Sequence, residues 1–347
     1  MARLALIAEE LGEMGYRDQQ AVSVIEDAMA AWLRNDNSDL LVYDKTWGGV
    51  VTYDGLNDAA ADFGNGWYND HHFHYGYFLY AAAVVAKNRP GFYPAYRRQL
   101  DFMVSDIACH RALADRFPTA RHKDFFDGHS WASGLFSQGN GKSQESSSEA
   151  VNAYYAVYLL GMATGNRELR DWGRILLAGE LRSTDKYWHM RNDSDVYDSI
   201  FASNRMVGVV GGLDAVDVTW FGDNVEYVHG INMMPFTPIS AELLPYGYMR
   251  EEWPMLATAL TREDPPLVAQ WEGYIHLAHA ILDPEAAWSG ISDLTVFDAA
   301  NSKTNSLHWV ASRPAPPPGY NETLYAEMNA AAAVTVPVSC LENSACE

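Results

Sequence analysis

The sequence predicts an all-α fold: antiparallel helix pairs arranged as an (α/α)6 barrel, with a small β-hairpin and long polar loops. Three observations lead there. Amphipathic segments recur in pairs joined by short turns, as at residues 151–162 and 167–181 around Thr164-Gly165-Asn166. The stretches between pairs are polar and dense in aromatic residues, and a toroid of nested pairs collects such loops at one face. The chain has 347 residues, 48% hydrophobic and 20% charged, enough for a large core. Roughly eight or nine helices stand out by periodicity, against the twelve that six pairs require.

Taken in order, residues 3–15 read as a short helix. Residues 18–34 read as a stronger one, with Val22, Ile25, Met29, Trp32 and Leu33 on one face. Residues 40–43 and 50–53 are short β-type runs about Trp47-Gly48-Gly49, a hairpin pattern. Residues 57–67 are an Asp/Asn/Gly-rich loop. The run WYNDHHFHYGY (67–77) feeds a helix over 78–87, whose alanines allow close packing, followed by a helix over 93–107. A polar connection spans 109–127. Beyond the pair at 151–181, residues 194–210 read as helical and Gly211-Gly212 as its stop. Residues 218–238 read as a polar-aromatic loop, 243–260 and 267–282 as helical, 301–309 as another polar-aromatic loop, and 314–318 as extended. The barrel is expected to span 1–312, with 313–347 a peripheral tail.

The richest stretch for chemistry is 124–158. A Gly/Ser/Asn-rich loop carrying Asp127, His129 and Trp131 runs into a helix that opens on acids. One of Ser146, Ser147 or Ser148 caps that helix, and Glu149 falls where a capping-box acid sits. Glu145 and Glu149 are four apart, so they share a face if the helical turn reaches back to Glu145. Acids at a helix start ordinarily complement the helix dipole. Here they keep company with Asp, His, Trp, Asn and Gln, a mixture that suits neutral sugars: ring faces stack on aromatics, and hydroxyls bind carboxylates and amides.

Asp70 sits just ahead of the 78–87 helix among His71, His72 and His74. No HExxH or comparable ligand spacing accompanies these histidines, so no metal and no cofactor are expected. They read as groups that orient Asp70, pack, or bind sugar. Glu226 is a third acid candidate, with structural hydrogen bonding its first reading.

The net charge of −21, from 24 basic and 45 acidic residues, disfavours nucleic acid, anionic lipid and polyanionic substrates. Eleven Trp, 20 Tyr and 13 Phe exceed what a helical core needs, so some are expected in a cleft. Of the three cysteines, Cys109 reads as a buried thiol, while Cys340 and Cys346 are spaced to close a small tail loop in an oxidising compartment. No transmembrane run is present, and the start is acidic and amphipathic rather than a signal peptide. The chain is therefore either intracellular or has its natural start upstream. Asn192 and Asn321 lie in sequons.

Four ordered blocks carry a specific resemblance: WYNDHHFHYGY (67–77), DGHSWASGL (127–135), QESSSEAVNAYYAVYLLG (144–161) and HGINMMPFTP (229–238). They resemble the signature blocks of glycoside hydrolase family 81, the endo-β-1,3-glucanases. The resemblance covers about residues 15–310. It implies an (α/α)6-barrel catalytic domain, inversion at the anomeric carbon, no metal, and action outside the cell or at the cell wall as a monomer on β-1,3-glucan. It assigns Asp70 as general acid and Glu145 as general base, with Glu149 tuning the base or holding water. His74, Tyr77, Asp127, His129, Trp131, Tyr154, Glu226 and His229 are the candidate substrate contacts. An inverting pair needs about 6.5–9.5 Å between carboxyls to hold a water. Family members carry a β-sandwich domain ahead of the barrel. This chain begins near the barrel, so exposed apolar side chains are expected on its early helices and hairpin. Two rival readings stay open: an α/α polysaccharide lyase, disfavoured by the acidic charge, and a non-catalytic glucan-binding protein, disfavoured by the retained acids.

Overall fold

The computed structural model describes residues 19–314 except 111–113 and 137. The expected helix over 3–15, the Cys340–Cys346 loop, the Asn321 sequon and the tail from 315 lie outside the described residues. What is described is mostly helical with two small antiparallel sheets. Helix α1 (Gln19–Leu33) buries Val22, Ile25, Met29 and Leu33 on one face, as its spacing predicts. The hairpin follows, β1 (Leu41–Asp44) pairing with β2 (Gly49–Thr52) in the register Leu41↔Thr52 to Asp44↔Gly49. It leads through α2 (Tyr53–Asn57) and a 3-10 segment (Ala61–Trp67) to the first long pair.

That pair is α3 (His71–Asn88) and α4 (Phe92–Ala108); the second is α5 (Ser147–Thr164) and α6 (Arg167–Tyr187). The turn between α5 and α6 works by two local devices. Gly165 takes φ +68°, a left-handed cap that L side chains resist, and Asn166 Oδ1 accepts from Leu169 N at 3.1 Å. Helices α3 and α5 are buried on nearly all sides, which their alanines permit. At their closest approach Gly76 faces Ala153: a Cβ on Gly76 would stand 2.7 Å from Ala153 Cα, so only hydrogen fits.

Several elements differ from the sequence expectation. Helix α3 begins at His71, not 78, immediately after Asp70. Residues 194–210 are not one helix. Asp198 caps a single turn, α7 (Ser199–Ala202), through Ile200 N and Phe201 N, and the valines beyond enter β4 (Val209–Gly211). There β-branched side chains fit a pleated surface better than a helix. Gly211 does not stop a helix but donates to Asp214 O in a turn to β5 (Ala215–Val216), and β4 also pairs with β3 (Ser143–Gln144). The 218–238 loop contains α8 (Val225–Ile231). After α9 (Ser240–Leu243), α10 (Tyr246–Leu256) and α11 (Thr258–Thr261) come α12 (Glu272–His279), α13 (Pro284–Asp293) and α14 (Lys303–Ala311). Helix α14 replaces the expected 301–309 loop. Ser302 caps it, and its inward polar groups Asn305 and Ser306 both bond Asn301 Oδ1, so a polar face is satisfied inside.

One core runs through these elements, with Trp188, Tyr154, Tyr248 and Tyr274 among its largest fully buried side chains. Cys109 is a buried thiol. Trp47, Tyr53 and Leu56 are exposed, the apolar surface expected near the early hairpin. No helix among the described residues is long and apolar enough to cross a membrane.

Candidate active site

Asp70 occupies the residue before α3 with φ +57°, a sparsely populated left-handed conformation that Asp tolerates better than most L residues. Two main-chain bonds hold it there: Asp70 N donates to Ala132 O at 2.9 Å, and His74 N donates to Asp70 O at 3.0 Å. This conformation aims its carboxyl into a cavity of about 1210 Å³, which is large for a small-molecule site.

Glu145 and Glu149 line the same cavity but not as one helical face. Helix α5 starts at Ser147, with Ser146 as its cap accepting from Glu149 N at 3.3 Å, so Glu145 lies ahead of the cap at the end of β3. The serines between the two acids anchor this corner. Ser146 Oγ and Ser148 Oγ donate to Ile231 O at 2.8 and 3.0 Å, while Ser147 N and Oγ both donate to Asn232 Oδ1 at 3.0 Å. Asn152 extends the tie, donating to Pro235 O at 3.3 Å and accepting from Thr237 Oγ1 at 2.7 Å. The QESSSE run is thus a clasp between α5 and the end of α8, and it fixes where both carboxyls point.

The electrostatics of the cavity follow from its walls. No Lys or Arg is among its described lining residues. Burial, followed by the charges of Glu149 and Glu145, pushes the Asp70 carboxyl well above the usual carboxylate range. Burial also raises Glu145 to about 7, against a hydrogen bond from Trp220 N (2.8 Å) that favours its ionised form, and Glu149 adds to the rise. Glu149 is raised to about 7 by burial, opposed by bonds from Ser146 and Tyr77, with Asp298 adding repulsion. Such a site favours the protonated form of Asp70 and leaves the glutamates poised between states near neutral pH.

The other candidate contacts divide. His74 and Tyr77 line the cavity, and burial drops His74 to about 4, so its ring is neutral. Asp127, His129, Trp131, Tyr154, Glu226 and His229 do not line it. His129 packs edge-on against Trp131, Tyr187 and Trp188, and Trp131 Nε1 donates to Asp124 Oδ2 at 3.2 Å. Tyr154 OH pairs with Ser130 Oγ at 2.8 Å, and Asp127 O accepts from Ser183 Oγ at 2.9 Å. Glu226 binds Arg262 and Val268 N; His229 Nδ1 pairs with Glu252 at 2.5 Å. Sequence reasoning passed over Phe63, Phe136 and Asp298, which do line the cavity with Trp220 and Phe221. Trp220 and Phe221 are exposed, and adjacent aromatics in a polar loop were the available signal.

Among the described residues, His71, Asp106 and His122 bring possible ligand atoms within 4.8 Å of one another. His71 already has an acceptor on each nitrogen: Asp106 Oδ1 at Nδ1 and Asn65 O at Nε2, both at 2.7 Å. Through Asp106, which also accepts from Val50 N, the ring ties the hairpin to the start of α3.

The cleft sets several half-buried carboxyls among exposed aromatic rings, groups suited to acid–base chemistry beside stacked rings. The model for the "Glycosyl hydrolase family 81 C-terminal domain" matches residues 1–311, and the chain belongs to glycoside hydrolase family 81. It is 36% identical over 322 residues to a Glycine max "Glucan endo-1,3-beta-D-glucosidase", covering 90% of this chain and 47% of that protein. It is 34% identical to the "Primary septum glucan endo-1,3-beta-D-glucosidase" of Schizosaccharomyces pombe, covering 85% of this chain and 28% of the relative. Among solved structures, a mutant form of the family 81 glycoside hydrolase from Clostridium thermocellum (CtLam81A) superposes with a TM-score of 0.76 at 30% identity, over 88% of this chain and 42% of that one. The chain spans less than half the length of these relatives.

Proposed function

We propose that this chain hydrolyses internal β-1,3-glucosidic linkages of glucan with inversion, its helix pairs closing into the six-pair ring. Asp70 gives its proton to the leaving glycosidic oxygen. Glu145 takes a proton from the water that attacks the opposite ring face. Glu149, beside Glu145, raises the base and helps hold that water. Phe63, Trp220 and Phe221 offer ring faces to glucose units. The relatives' names support the linkage, and the septum enzyme among them supports action at a cell wall, outside the cell.

The observation that carries the reading is the cavity in which Asp70, Glu145, Glu149 and Asp298 meet with no Lys or Arg among its described lining residues. An acid needs that environment to stay protonated at neutral pH. The same lining argues against a uronate substrate, whose negative charge would find no partner there. Digestion of a linear β-1,3-glucan, with product anomers followed by NMR and Asp70→Asn alongside, tests the reading. First release of the α-anomer, lost in the variant, is the expected result. First release of the β-anomer overturns inversion, an unsaturated UV-absorbing product indicates a lyase, and retention without cleavage indicates a binding protein.

A further inference from the structure

We propose that Gln144 is a positioning residue that sets the span between the Asp70 and Glu145 carboxyls, and that the buried Lys123–Glu180 pair holds it in register. The inference rests on the reading of Asp70 and Glu145 as acid and base. Gln144 precedes Glu145 directly, and its side chain is buried behind the cavity rather than in its wall. His72, two residues after Asp70, places Nε2 2.8 Å from Gln144 Oε1. Gln144 Nε2 donates to Glu180 Oε1 at 3.0 Å. Glu180 also accepts from Ser130 N at 2.9 Å and Ser130 Oγ at 3.2 Å, and it forms an ion pair with Lys123. Lys123 completes its shell on Leu176 O at 3.1 Å. His72, Gln144 and Glu180 are all buried.

The chemistry of the partners fixes the direction of this chain. A carboxylate beside a lysine only accepts, so Gln144 must present its NH2 to Glu180. Its carbonyl then faces His72, which must donate from Nε2. The amide has no second orientation that satisfies both neighbours. A parallel main-chain link runs alongside: Asp70 N donates to Ala132 O, and Ala132 N donates to Ser143 O at 2.8 Å. Thus the acid and the base-bearing strand are joined twice, once through backbone and once through Gln144. The backbone link ends one residue short of Gln144, so the side chain is what ties the start of α3 to the residue next to Glu145.

Gln144→Met keeps the length and removes both bonds. On linear β-1,3-glucan the 347-residue chain carrying it should lose about 10²-fold in kcat, the scale of an ångström's misplacement, with KM changed less than about threefold. A merely structural role would instead lower the melting temperature and leave kcat unchanged in the folded fraction. Gln144→Glu guards against a Met variant that fails to fold. Protonated, that glutamate donates to Glu180 and accepts from His72; ionised, it faces the Glu180 carboxylate. The titratable groups about it are Glu180, Lys123, Glu145 and His72, whose ring burial keeps neutral down to about 4. Its kcat should therefore fall with rising pH more steeply than that of the unaltered chain, and a parallel profile overturns the proposal. Failure of the unaltered chain to cleave glucan overturns the acid–base reading and this inference together. Cleavage by the unaltered chain with an undiminished kcat in folded Gln144→Met overturns the positioning role alone.

Discussion

Two sets of carboxyls, one half-buried in the cleft and one fully buried in the scaffold, sit within one helical body and behave oppositely. In the cleft, Asp70, Glu145 and Glu149 have other acids as neighbours and no cation in the lining, and each is raised. In the scaffold, Glu180 and Glu226 are at least as deeply buried. Burial pushes both up as well, but Lys123 and Gln144 on one, and Arg262 and backbone N–H groups on the other, outweigh it and leave both lowered. The difference is in the company, not the depth. Removal from water makes a carboxyl hard to ionise; a cation and donors reverse that where structure requires a fixed charge. Where chemistry requires a mobile proton, the reversal is withheld.

The comparison is broken most severely by neutralising the cleft acids. Asp70→Asn and Glu145→Gln are each expected to lower kcat on linear β-1,3-glucan by about 10²–10⁴-fold. Their circular dichroism and melting temperature should stay near those of the parent. A folded Asp70→Asn protein with more than a tenth of parental turnover would remove Asp70 from the acid's role. In the scaffold the effect should fall on stability. Lys123→Met strands Glu180 without its cation and should cost about 3–5 kcal/mol in urea unfolding.

The two sets also predict opposite slopes of stability against pH. Glu145 and Glu149 are raised from an ordinary 4.5 to about 7, so the folded chain holds protons that the unfolded chain has shed. Their contribution is present below about 4.5 and is lost as pH climbs toward 7. Glu180, lowered, contributes above its ordinary value and is lost as pH falls through its folded one. Urea midpoints from pH 3 to 8 should show the first slope flattened in Glu149→Gln and the second reduced, with Glu226 still contributing, in Glu180→Gln. The smallest effect expected is kinetic. Glu149→Gln removes a charge that raises Glu145, so in any activity it retains, the acidic limb of the kcat/KM profile should move to lower pH, by less than a unit. A limb that moves upward would mean Glu149 is the base.

Much of this was legible in the sequence because the acids travel with their supports. Asp70 is followed by His74, whose N–H holds its carbonyl, and Glu145 and Glu149 bracket the serines that clasp them. Helix pairs α3/α4 and α5/α6 announced themselves by turn and cap residues. Other features were hidden for physical reasons. Helix α5 is buried on most of its circumference, so periodicity could not say that Tyr154 faces Ser130 while Glu149 and Asn152 face the cavity. His129 and Trp131 have the chemistry of a sugar platform, yet edge-to-face packing uses the same rings. Helix α14 was concealed because Asn305 and Ser306 turn inward, and their bonds to Asn301 join residues four and five apart that no apolar stripe marks. The 194–210 segment read as helical from its apolar content, but its valines serve a sheet whose first strand lies some sixty residues earlier, a pairing invisible to any local window.

Gly76 against Ala153 has a consequence for how this cleft can change over generations. Asp70 stands at the head of α3 and Glu145 and Glu149 at the head of α5, and the two helices touch where one position has no side chain at all. A single added methyl at Gly76 would push the two helices apart, so this contact pins the gauge of the cleft against change at that position. A selection for wider or narrower substrates would have to alter α3 and α5 together, or leave this contact alone and rebuild the loops that carry Phe63, Phe136 and Trp220.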